Sequence, residues 1–356
     1  MEKKNLLITF DYELFLGTRS GQPEDCILQP TSALMTILGQ FNVKGVFFVD
    51  TTYLCKLKEL SGKYEKCRND LKNISEQLLA LIEEGHYVMP HVHPHWLDAI
   101  YREKTGEFDL SNVDKYRFHS LSKEQRREVF RSSLQILKDI IHPFYPDYKI
   151  DSFRAGGWSI QPFIDFKPVF EEFGILYDLS VVTKMYQFSS AQIFDFSAAP
   201  NKFIYRFTED ITREEENGKF IQIAGSVIEI SATRDYLDRA HKKVLNVVGY
   251  DQDYARGYGQ ASEEITGQAP MSPDGINVFA RTHEVASLEK ISLVKLPVYE
   301  EFLETNGYLH FVSHPKMLSR HNFYILKELL NRIRNKNWLI ETDYKKMAEA
   351  YLNTRA

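Results

Sequence analysis

Short apolar runs alternate with longer amphipathic stretches along this chain. The runs at 5–10 (NLLITF) and 43–49 (VKGVFFV) are rich in β-branched and aromatic residues, and residues 30–41 between them (PTSALMTILGQF) carry apolar positions at helical spacing. This predicts a strand, a helix and a second strand. Residues 75–85 (SEQLLALIEEG) close on Gly85, where a helix C-cap glycine belongs, and the next strand follows at 86–91 (HYVMPH). Ser122 and Gln125 form a capping box ahead of a helix over 127–141, and a strand is predicted at 148–153 (YKIDSF). A helix at 166–174 and a strand at 175–181 continue the alternation. It ends with a strand at 308–314, a helix at 322–334, a strand at 337–343 and a helix at 344–353.

Strands alternating with helices predict an α/β fold with a parallel sheet, and the number of units favours closure into a (β/α) barrel over an open sheet. Two stretches break the pattern. Residues about 194–231 read as extra β-structure, and 251–287 are polar and Gly-rich without clear periodicity, so both are expected as insertions on a single domain spanning 1–356. In a barrel the chemistry sits where strands end. The polar candidates obey this rule: Asp11 and Glu13 after the first strand, His91, His93 and His95 at the third, then Arg154, Asp178 and, late in the chain, His314.

Composition narrows the partners. With 43% hydrophobic residues over 356 positions the chain can bury a large core, and a net charge of −5 with both signs interspersed offers no basic stripe for phosphate backbones. Nucleic acid is not an expected partner. The three cysteines, Cys26, Cys55 and Cys67, lack Cys-x-x-Cys spacing, which suggests neither a disulfide framework nor a thiolate metal site. No run approaches the ~18–20 apolar residues of a membrane span, and Asp11 and Glu13 cut the N-terminal apolar run short of a signal peptide. A soluble cytoplasmic protein is expected.

Three histidines within five residues, in MPHVHPHW, are hard to explain as isolated core or surface side chains. On an extended strand all three could share a face, and a turn after His91 would instead bring residues four apart together. Either arrangement can hold a divalent ion, and two imidazoles with one carboxylate leave positions open for substrate. Asp11 and Glu13, ending an apolar strand, supply carboxylates that are costly to bury uncompensated. Arg154, ahead of Gly156, Gly157 and Trp158, can pin a carboxylate, while the glycines let backbone N–H groups approach a substrate oxygen. His314 ends an apolar strand with a ring nitrogen suited to acid or base work near neutral pH.

Taken in order, TFDYE, EEGH with HVHPH, FRAGGWSI, YDLSV and LHFVSHP resemble the motifs of the polysaccharide deacetylase family, carbohydrate esterase family 4, with its NodB-homology domain. The resemblance runs from Thr9 to about Tyr351. It implies a distorted (β/α) barrel and metal-assisted hydrolysis of an N-acetyl amide on a sugar or glycan precursor. Carried across, Asp11 is the general base, His91 and His95 are metal ligands, Arg154 orients the base, Asp178 supports it and His314 is the general acid. One divalent ion is implied, with zinc the expected metal. The family places a second Asp directly after the base, whereas here Tyr12 stands there and Glu13 follows; Glu13 is therefore the expected carboxylate ligand. Gly156 and Gly157 replace the usual Pro-aromatic pair, and with Trp158, Trp96 and His93 they are expected to line the substrate. Two other readings stand beside this one: an allantoinase-like hydrolase of a non-sugar amide, and a barrel that binds glycan or partner proteins without turnover.

Overall fold

The computed structural model describes residues 2–353 apart from 190, 248, 251–253, 256–274 and 279. The expected segment 251–287 therefore lies largely outside the described residues.

The main sheet is built from β1 (Glu2–Tyr12), β2 (Gly45–Asp50), β3 (Tyr87–Val92), β4 (Ser152–Ala155), β5 (Tyr177–Asp178), β6 (Ile204–Phe207), β7 (Phe220–Ile223), β8 (Tyr308–Ser313) and β9 (Trp338–Glu341). Their order is β6-β7-β5-β4-β3-β2-β1-β8, with β9 also pairing the first residues of β1. Every pair is parallel except β6 with β7. Helices α1 (Gln29–Phe41), α2 (Thr51–Leu60), α3 (Glu65–Glu83), α4 (Lys123–Ile141) and α5 (Lys167–Phe173) connect successive strands in the first half. After β7 come α6 (Ala232–Val247), α7 (Leu296–Asn306), α8 (Arg320–Arg334) and α9 (Tyr344–Asn353). No helix among the described residues is long and apolar enough to cross a membrane.

Local rules place most of these elements. Ser122 caps α4 in the box its sequence predicts, so the helix begins at Lys123, four residues ahead of the periodic run. Helix α3 likewise starts earlier than its apolar run suggests, at Glu65, because Cys67, Ile74, Leu78 and Leu81 already form one buried face. β2 is buried along its whole length, as expected of a strand covered on both faces.

The sheet curls, but among the described residues its ladder does not close into the full barrel that the alternation predicts. The cause is the antiparallel strand β6, which takes the edge of β7 that β8 would need, pairing Ile204 with Ile223. Ser226, just past β7, and Ala286 reach across: Ser226 N–H donates to His310 O at 3.2 Å, Ala286 N–H donates to Ser226 O at 2.8 Å, and Val312 N–H donates to Ala286 O at 2.8 Å. The segment about 194–231 is β-rich as its composition predicts, and two of its strands, β6 and β7, belong to the main sheet.

Register then aligns the candidate residues. Asp11 is opposite Phe48, Asp50 opposite His91, His91 opposite Arg154, and Phe10 opposite Ser313, which precedes His314. Side chains alternate along β1, so Tyr12 points outward and its hydroxyl donates to Gln77 on α3 at 2.8 Å, leaving Asp11 and Glu13 on the inner face.

Candidate active site

The inner ends of β1, β3, β4 and β8 bring Asp11, Glu13, His91, His93, Arg154 and His314 together, all but His314 buried to within a few per cent. Three donor atoms converge. Glu13 Oε2 lies 2.7 Å from His93 Nε2 and 3.3 Å from His91 Nε2, and the two imidazole nitrogens are 3.0 Å apart. Ligands bound at the usual ~2.0–2.2 Å to one tetrahedral ion stand roughly 3–3.5 Å from each other, so this spacing fits a shared cation. Glu13 Oε2 is buried and has no hydrogen bond of acceptable geometry, the condition of an acceptor aimed at something other than a proton. His91 Nδ1–H donates to Arg154 O at 2.8 Å, which turns its Nε2 toward the group.

This triad differs from the expected one. His93, expected against the substrate, stands in the group that could hold an ion, while His95, expected as a ligand, lies outside it among the described residues. The His95 ring stacks on Tyr116 with centroids 5.1 Å apart, and neither of its nitrogens has a hydrogen-bond partner. Burial, and then the neighbouring His93, push its pKa far down, so it is a neutral imidazole. β3 ends at Val92 and the chain enters a 3-10 turn at Pro94, and the His95 ring, 5.2 Å from that of His93, packs on Tyr116 and not beside Glu13.

The two carboxylates are held differently. Asp11 Oδ1 accepts from Arg154 Nη1 at 2.6 Å, while Oδ2 lies 3.6 Å from His314 Nε2 and 3.9 Å from His91 Nε2. Burial opposes its ionisation, but Arg154 above all holds its pKa below the usual range. Glu13 Oε1 accepts from Lys316 Nζ at 2.8 Å; burial again opposes ionisation, and Lys316 with His93 overrides it strongly. Burial alone would depress His91, yet Asp11 and Glu13 lift it to about 9.

Arg154 is itself fixed from every side. Its Nε donates to Leu179 O at 2.9 Å, Nη2 donates to Thr9 Oγ1 at 2.6 Å, and the guanidinium carbon lies 4.4 Å from the centre of the Phe48 ring. His310 adds an acceptor: its Nδ1–H donates to Ala224 O at 2.9 Å, and its Nε2 faces Arg154 Nη2 at 3.5 Å. Burial and then Arg154 lower His310 to about 3, so it stays neutral. Asp178 touches none of these groups directly. It accepts from Ser180 N at 2.8 Å and Ser180 Oγ at 2.9 Å, and that hydroxyl oxygen accepts from Ala155 N at 2.9 Å, so Asp178 acts on the loop after Arg154 through Ser180.

That loop is sterically confined. A Cβ at Gly156 would come within 2.6 Å of Val92 O and 2.7 Å of His93 Nδ1, and Gly157 has φ +57°. Trp158 also has positive φ, at +57°, an unusual backbone for a bulky residue, and its ring meets the edge of Phe194 at 5.7 Å. Trp96, expected at the substrate, is instead a core residue at 1% exposure: its Nε1–H donates to Asp50 Oδ2 at 2.5 Å and its ring packs on Tyr53 and Phe108.

His314 Nδ1–H donates to Glu289 Oε1 at 2.9 Å, leaving Nε2 toward Asp11. Burial would lower its pKa, but Glu289 and then Asp11 raise it. Glu289, Lys316 and His310 were not singled out from sequence. Lys316 and His310 had a faint signal, as polar residues on either side of His314 in an otherwise apolar strand end, whereas Glu289 falls where no periodicity guides the eye.

No family model and no curated protein matches the chain. Solved structures similar to it include a protein of Mycobacterium smegmatis described as a polysaccharide deacetylase, at 13% identity over 99% of this chain and 91% of that one, with a TM-score of 0.49. The catalytic domain of peptidoglycan N-acetylglucosamine deacetylase from Eubacterium rectale ATCC 33656 is similar at 12% identity over 95% of this chain and 89% of that one, with a TM-score of 0.34. A peptidoglycan deacetylase from Bacillus subtilis is similar at 11% identity over 93% of this chain and 94% of that one, with a TM-score of 0.31.

Proposed function

We propose that the chain is a metal-dependent hydrolase that removes an N-acetyl group from an acetamido sugar or glycan precursor in the cytoplasm, built as one α/β domain whose curled sheet is of the polysaccharide deacetylase type. The observation that carries this reading is the convergence of Glu13 Oε2, His91 Nε2 and His93 Nε2 beside two separately held groups, Asp11 on Arg154 and His314 on Glu289. Glu13, His91 and His93 would hold one divalent ion, with zinc the best match to two imidazoles and a carboxylate. When bound there, such an ion supplies Lewis acidity toward a carbonyl oxygen and toward water.

The chain's own residues supply the proton traffic. Asp11, kept ionised by Arg154, takes a proton from the attacking water at Oδ2, the oxygen that Arg154 leaves free. His314 carries a proton on Nε2, opposite its bond to Glu289, and delivers it to the departing amine. Gly156 and Gly157 let Val92 O, the His93 ring and the Tyr116 hydroxyl pack directly on the loop after Arg154, and Trp158 beside them offers an aromatic face to the sugar.

The test is a screen of acetylated sugars, nucleotide sugars and cyclic amides for acetate or amine release, with metal content measured in parallel. Acetate release from a sugar that a chelator abolishes and zinc restores is the expected result. Turnover of cyclic amides alone would move the reading to a non-sugar amidohydrolase, and protein that binds no divalent ion after reconstitution would sink it.

A pH prediction follows from Glu289. Because Glu289 raises His314, and the acid must be protonated to work, activity is lost as pH rises through the His314 pKa. Glu289→Gln is expected to move the basic limb of kcat/KM to lower pH and to cost about tenfold or more at neutral pH, within the ~10²–10⁴ range of acid catalysis. An unmoved basic limb would show that another group is the acid.

A further inference from the structure

The end of β2 and the first turn of α2 carry three buried polar residues in a row, Asp50, Thr51 and Thr52, none of which belongs to the ligand group. All three side chains bond to the histidine segment. Thr51 Oγ1 donates to His91 O at 2.9 Å, His93 N–H donates to Thr52 Oγ1 at 3.0 Å, and Trp96 Nε1–H donates to Asp50 Oδ2 at 2.5 Å. The Thr52 proton is itself committed to Asp50 Oδ1 at 2.6 Å, so its oxygen is turned to accept from His93.

Helix capping accounts for only part of this. Asp50 is the N-cap of α2 and accepts from Tyr53 N at 3.1 Å, which needs neither threonine. Two β-branched residues in a first turn bring no helix propensity, yet Thr51 donates to β3 and the Thr52 oxygen accepts from the residue that follows β3. What they replace is the sheet ladder. The β3 ladder ends at Val92, His93 is extended at φ −116° and ψ 91°, and Pro94 has no N–H, so the segment bearing His93 leaves the sheet with its backbone N–H otherwise unpaired.

We infer that Asp50, Thr51 and Thr52 form a bracket that positions His91 and His93 for a divalent cation by holding their backbone on either side of the strand end. This rests on the reading of Glu13, His91 and His93 as a metal site. The bracket residues touch no reacting atom and act only through the two histidines.

The test compares Thr52→Val, which keeps the side-chain shape and removes the hydroxyl, with Thr52→Ser, which restores it. Two quantities are read on full-length metal-free protein: the Kd for Zn²⁺ and Co²⁺ by competition with a chromophoric chelator, and hydrogen exchange at the His93 amide. Thr52→Val is expected to weaken metal binding about 10–100-fold, the usual effect of removing a group that orients a ligand, and to speed exchange at His93 more than at core amides. Thr52→Ser is expected to stay near wild type in both. Should Thr52→Val fail to fold, Trp96→Phe, which deletes the donor to Asp50 and keeps an aromatic ring against Tyr53 and Phe108, is expected to weaken metal binding in the same direction by a smaller factor. Wild-type protein that binds metal with a Thr52→Val Kd within twofold of it, or an unchanged Trp96→Phe Kd where the first variant does not fold, overturns the bracket and leaves the metal site standing. Wild-type protein that binds neither ion overturns the metal site and the bracket with it.

Discussion

Glu13→Gln is expected to bind no stoichiometric metal and to reduce turnover to background, while Asp11→Asn keeps the ion and loses about 10³–10⁴-fold in kcat, the upper range for removal of a general base. The two carboxylates sit two residues apart on one face, yet their partners differ. Glu13 presents Oε2 to His91 and His93 while Lys316 holds Oε1, whereas Asp11 gives Oδ1 to Arg154 and keeps Oδ2 3.9 Å from the nearest of the two ligand imidazoles. Removing the Glu13 charge therefore deletes a ligand, and removing the Asp11 charge deletes a proton acceptor. Metal content by elemental analysis and acetate release on the same samples check the pair. Loss of metal in Asp11→Asn with retention in Glu13→Gln would exchange the roles, and full metal and activity in both would remove the site.

The second large effect is on stability. Arg154 is fully buried, and its guanidinium serves Asp11, Thr9 and Leu179 O at once. Arg154→Met is expected to destabilise the fold by about 3–5 kcal/mol, because it leaves a buried carboxylate without its counter-charge. Adding Asp11→Asn should recover part of that loss, since an amide costs less to bury than an unpaired carboxylate. Urea unfolding of the two single variants and the double variant measures the coupling. If the double variant is destabilised by the simple sum of the single effects, Arg154 and Asp11 do not act as a pair.

Much of the framework was readable along the chain because it depends on neighbours in sequence. Alternation along β1 puts Asp11 and Glu13 on the inner face and sends Tyr12 to Gln77, as a period of two requires. The capping box at Ser122 and Gln125 starts α4 where hydrogen bonding between residues three apart dictates. The motifs at strand ends also named Asp11, Glu13, His91, Arg154 and His314, the residues that the sheet register does bring to one end.

Other features depend on groups far apart in sequence. Strand-like alternation after His91 and a turn bringing residues four apart together were both open; the choice of His93 over His95 was made by Thr52, which holds the His93 amide, and by the turn at Pro94, which lays His95 on Tyr116. Trp96 is drawn into the core because Asp50, 46 residues earlier, accepts its one donor. Lys316 reaches Glu13 across 303 positions and Glu289 reaches His314 across 25, and neither partnership has a periodicity to announce it. The open ladder has the same origin: the composition of 194–231 predicts β-structure, but only the packed sheet decides that β6 takes the free edge of β7 and keeps β8 from closing on it. Local sequence determined the elements and the faces their side chains take, because capping and alternation act within a few residues. Which histidine meets Glu13, and which charges flank it, was decided by tertiary structure, because those contacts exist only once distant strand ends share one buried space.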